Sequence, residues 1–90
     1  MTLKVETVER ALIQYVQELM PSNRKLSSNT RICGDIGLCD EDLWDMINHA
    51  LSEFGVPTPT NENPASISTH QRDLTFRSLA EWICEFAAQL

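Results

Sequence analysis

The 90-residue chain reads as an all-α domain of three main helices plus one short helix, and three observations predict this. Apolar residues recur at three- and four-residue steps in three separate stretches, glycine or proline interrupts the chain between them, and strand signals are weak throughout. No internal repeat, low-complexity tract or linker divides the chain, so residues 1–90 are read as one domain.

From Val5 to Met20, the residues Val5, Val8, Ala11, Leu12, Tyr15, Val16, Leu19 and Met20 share one helical face. Glu6, Glu9, Arg10, Gln14, Gln17 and Glu18 lie largely opposite, and Pro21 ends the helix. A polar loop follows, in which Leu26 is expected to dip back to the core. From Thr30 to Leu38, the residues Ile32, Ile36 and Leu38 should pin an ordered loop whose turns Gly34 and Gly37 permit.

The second helix opens after that loop. Asp40 is expected as its N-cap, Glu41, Asp42 and Asp45 are expected to put negative charge on the first turn, where the helix dipole favours it, and Gly55 stands where a left-handed C-terminal cap is expected. Leu43, Met46, Ile47, Ala50, Leu51 and Phe54 form its apolar stripe. Pro57, Pro59 and Pro64 break regular structure beyond it. A bare loop from Val56 to Leu74 would be long for a compact domain, and Asn63 before Pro64 suits a cap, so Pro64 to Thr69 is expected as a short helical turn carrying Ile67 inward. The last helix is expected near Thr75, with Ser78 as the alternative cap. Phe76, Leu79, Ala80, Ile83, Phe86, Ala87 and Leu90 make its buried stripe.

A chain of this length buries a modest core and has little room for a wide cleft, which argues against an elaborate enzyme. With 13 acidic against 7 basic residues the net charge is −6, which opposes nucleic acid and anionic membrane and favours a protein partner with a basic surface. The N-terminal segment lacks the apolar run of a signal peptide, and no stretch approaches membrane-spanning length, so a cytoplasmic location is expected. Cys33, Cys39 and Cys84 are odd in number and match neither a zinc pattern nor CxxC, so all three are read as reduced thiols.

TRICGDIGLCDED resembles the acyl carrier protein stretch T-x-L-x-x-D-L-G-x-D-S-L-D, with Asp35, Ile36, Gly37 and Leu38 on its D-L-G-L core. LSEFGV is similar to the E-x-E-F-G-V ending of the carrier's second helix, at the ungapped distance, and TFRSLAEWI to the T-V-x-D-A-I-D-Y-I opening of its last helix. The resemblance covers nearly the whole chain, with a longer segment between Gly55 and Thr75, and implies an acyl carrier protein-like bundle. One departure matters most. In carriers the D-S-L triplet supplies the serine that receives the phosphopantetheine arm, and here Cys39, Asp40 and Glu41 stand there. Ser28 and Ser52 lie twelve residues to either side of Asp40. The chain thus resembles a divergent bacterial branch, of unknown function, that keeps the carrier fold and lacks the attachment site, and no cofactor is expected.

Asp40, Glu41, Asp42, Trp44 and Asp45 are the candidate partner-binding residues, since carriers dock their second helix onto basic patches. The bland alternatives are a satisfied helix dipole for the carboxylates and a ring folded over the edge of the core for Trp44. Cys39 before a helix is a weaker candidate for a reactive thiol, because four neighbouring carboxylates disfavour the thiolate. His49 and His70 are isolated from any ligand pattern, and no nucleophile with a base suggests an enzyme. The expected function is a non-catalytic interaction module. The alternatives are an immunity or inhibitor protein for a basic toxin or enzyme, and a genuine acyl carrier with a displaced attachment site.

Overall fold

A computed structural model of the chain describes residues 2–20, 25–57 and 73–89. Among them all regular structure is helical: α1 (Val5–Leu19), α2 (Asp40–Glu53) and α3 (Phe76–Ala88). The short helical turn expected at Pro64–Thr69, like His70 and Leu90, lies outside the described residues. No described helix is long and apolar enough to cross a membrane.

The three stripes meet in one core. Val8, Leu12 and Val16 of α1, Leu43, Met46, Ile47, Ala50 and Leu51 of α2, and Phe76, Leu79, Ala80, Ile83 and Ala87 of α3 are buried, with Ile32, Leu38, Val56 and Leu74 filling in from the connections. Leu26 and Ile36 pack at its edge, as do Phe54 and Phe86. The expected face of α1 runs too far at one end, for Leu19 and Met20 are 53% and 39% exposed. The helix stops there, Met20 leaving helical backbone at φ −129°, ψ 76°, so the buried row ends with Val16.

The α1–α3 contact is the more extensive, and residues 28–32 reinforce it. That segment runs antiparallel to the entrance of α3: Arg31 and Thr75 form an isolated bridge, Ile32 N–H donates to Leu74 C=O (2.9 Å), Phe76 N–H to Thr30 C=O (3.3 Å) and Arg77 N–H to Ser28 C=O (3.1 Å). Thr75 is the N-cap, its Oγ1 accepting from Ser78 N–H at 3.1 Å. Successive first-turn donors of α3, which a helix alone leaves unpaired, therefore all find protein partners.

At the far end of α2, Gly55 takes φ +70°, Val56 N–H reaches back to Leu51 C=O (2.8 Å) and Gly55 N–H to Ser52 C=O (3.1 Å). This paired return is the glycine-terminated stop expected from the sequence. Of the two glycines expected to shape the loop before α2, Gly37 has positive φ (+76°) and Gly34 does not.

Candidate functional site

The entrance of α2 is built differently from that of α3. Its N-cap is Cys39, in extended backbone, and Asp40 is already the first helical residue, which corrects the expected cap by one position. Cys39 makes no side-chain capping bond, because its sulfur is committed elsewhere. Cys33 and Cys39 form a disulfide with Cα atoms 4.8 Å apart, so they are not the reduced thiols expected, and Cys39 is not a standing reactive thiol.

Folding of the intervening loop brings the pair together. Asp35 N–H donates to Arg31 C=O (3.0 Å), Gly37 N–H to Cys33 C=O (2.9 Å) and Leu38 N–H to Ile32 C=O (3.0 Å), so the chain coils back on itself where an extended span of six residues would cover about 20 Å. Asp35 also accepts from Arg31 through its backbone N–H (2.8 Å) and Nη2 (3.0 Å), and that hydrogen bond, with the carboxylate's charge, raises the Arg31 pKa. The sequence signal that was available is two cysteines bracketing two glycines, which leaves Cys84 as the odd thiol. Cys84 is free, and its pKa is raised by partial burial first, then by Glu6 and Glu81.

Beyond the bridge, Glu41, Asp42 and Asp45 are exposed on α2, and no ion pair among the described residues engages them. The helix contains no Lys or Arg. The Asp40 side chain lies outside the described part of the structure. Trp44, between these carboxylates in sequence, is half-buried with its ring against the edge of the core. The structure thus brings Glu41, Asp42 and Asp45 to one solvent-facing end and leaves Trp44 partly turned inward.

Two further polar groupings lie outside this end. Tyr15 of α1 packs its ring 4.8 Å from that of His49 of α2, and His49 Nε2 lies 4.0 Å from Glu53, beside a groove of about 110 Å³. That is well below the roughly 300–1,000 Å³ of a small-molecule site. Across the α1–α3 face, Ser28 Oγ donates to Glu9 Oε1. Glu9 Oε2 is buried without a hydrogen bond but stands 3.6 Å from Arg77 Nη1, so its compensation is charge rather than a hydrogen bond. This grouping reads as a structural tie, which sequence spacing could not reveal because its members are distant in the chain. Among the described residues no three His, Cys, Asp or Glu side chains converge as metal ligands. The chain matches no protein-family model, no curated protein and no solved structure.

Proposed function

We propose that this chain is a non-catalytic, acyl carrier protein-like interaction module of the cytoplasm that binds a basic protein surface through α2 and carries no phosphopantetheine arm. The observation that carries this reading is the set of exposed carboxylates at Glu41, Asp42 and Asp45 on a helix with no Lys or Arg. Dipole compensation accounts for charge in the first turn, but its reach falls away beyond it, and Asp45 stands in the second turn. A row of carboxylates that no ion pair among the described residues engages steers and orients a cationic partner, and Asp40 extends the row in sequence. Trp44 supplies apolar area at its edge, where an aromatic ring beside charges is a frequent anchor. The carrier resemblance supports the same face, since carriers dock through their second helix.

The absence of an arm follows from chemistry at Asp40. A carboxylate has no hydroxyl to form the stable phosphodiester, and its charge repels a pyrophosphate-bearing donor. Pull-down with the wild type and with an Asp42→Lys, Asp45→Lys variant tests the docking face. The expected result is a salt-sensitive set of partners retained by the wild type and lost by the variant. Equal recovery by both would remove α2 from the reading. Incubation with coenzyme A and a broad-specificity phosphopantetheinyl transferase should leave the intact mass unchanged, whereas a gain matching the arm on any serine would make the chain a genuine carrier.

A further inference from the structure

We propose that the Cys33–Cys39 bridge is a reversible thiol–disulfide site that sets the order of the first turn of α2. The bridge closes a short loop, six positions apart, and short loops restrict the unfolded chain least. The same loop is already closed at its base by Leu38 N–H on Ile32 C=O, and both of those residues are buried in the core. Holding the fold together is therefore a task the bridge duplicates.

Cys39 C=O accepts from Asp42 N–H (3.1 Å), and what the bridge adds is the side-chain anchor at the N-cap. In α3 the corresponding position is secured by the Thr75 hydroxyl and by carbonyls of residues 28 and 30. In α2 the cap residue has no such bond and is tethered through sulfur instead. Cys33 and Cys39 are both half-buried rather than sealed in the core. In a reducing compartment such a bridge is transient and sensing rather than permanent.

The exchange balances with a dithiol reductant. Its thiolate attacks one sulfur of the bridge, the protein S–S bond breaks as the mixed disulfide forms, and the displaced cysteine leaves with the electron pair and takes a proton from solvent. The reductant's second thiol then attacks the mixed disulfide, frees the other cysteine as a thiol and closes its own disulfide. Two electrons and two protons pass from reductant to protein. Reduction loosens the turn that bears Glu41 and Asp42, and the consequence for docking, which like the reducing compartment rests on the reading above, is that the oxidised form presents the ordered acidic end.

Intact-mass analysis after alkylation, across a dithiothreitol series and a reduced-to-oxidised glutathione series, measures the couple without any partner. One alkylated thiol, Cys84, is expected when oxidised and three when reduced, with far-ultraviolet helicity retained and amide exchange at residues 43–46 accelerated on the order of tenfold. A Cys33→Ala, Cys39→Ala variant, which adds no capping hydroxyl, should exchange like the reduced wild type, and if it does not fold the chemically reduced wild type carries the comparison. Three reactive thiols under oxidised glutathione, resistance to both reductants, global loss of helicity on reduction, or unchanged exchange at residues 43–46 would each overturn the proposal. None of these outcomes touches the docking reading, and equal partner recovery in the pull-down leaves them untouched in turn.

Discussion

The entrances of α3 and α2 meet the same physical requirement by different means. Each begins at a residue in extended backbone, Thr75 and Cys39 respectively, and each follows a loop that must turn into the helix. At α3 the first-turn donors are taken up by a hydroxyl and by two backbone carbonyls of the 28–32 segment, and Glu9, Ser28 and Arg77 add a polar tie between helix, loop and α1. At α2 the cap is covalent, and the carboxylates beyond it face solvent. The α3 end is tied by side-chain and backbone bonds to the 28–32 segment and to α1, whereas the α2 end has its own backbone turn (Asp42 N–H to Cys39 C=O, 3.1 Å) and one cleavable bond, and its carboxylates face solvent. The α1–α3 pair is thus the scaffold, and α2 is presented on it.

That contrast is broken or sharpened first in the core. Phe76 and Leu43 are both fully buried, one on each side of the comparison. Phe76→Ala should cost about 3–5 kcal/mol and Leu43→Ala about 2–5 kcal/mol in urea unfolding. If α3 belongs to the scaffold and α2 is presented on it, Phe76→Ala should also raise native-state exchange in all three helices, and Leu43→Ala chiefly in α2. Uniform exchange in both variants would erase the distinction.

The polar tie comes next. Arg77→Met leaves the Glu9 carboxylate, whose side chain is 13% exposed, without its cation, and roughly 1–3 kcal/mol of stability should be lost. Adding Glu9→Gln should restore part of it in a double-mutant cycle. Full additivity of the two substitutions would mean that the pair contributes nothing jointly, and the α1–α3 face would then rest on apolar packing alone.

The smallest expected effect is at the cap itself. Thr75→Ala should cost about 1 kcal/mol, with Thr75→Ser close to wild type, as read by the midpoint of urea unfolding. A loss confined to α3 in exchange would match a local capping role, while no loss at all would show that the 28–32 carbonyls suffice and would narrow the difference between the two entrances.

Much of this molecule is determined by periodicity and by single-residue backbone preference. Three apolar rows at helical spacing identify α1, α2 and α3. Thr75 is legible as a cap because a hydroxyl precedes the row, and Gly55 as a stop because only a residue without a side chain enters φ +70° cheaply. The outward direction of Glu41, Asp42 and Asp45 follows from the same row, being what lies off the face of Leu43, Met46 and Ile47. These properties are set within one or two turns of chain. The tertiary fold alone decided the rest: that Cys33 and Cys39 meet, that the cap of α2 falls on Cys39 rather than Asp40, that Leu19 ends up exposed, and that Glu9 finds Ser28 and Arg77. Each depends on a distance through space between residues whose separation along the chain says nothing of it until the core has closed and fixed the path of the loops.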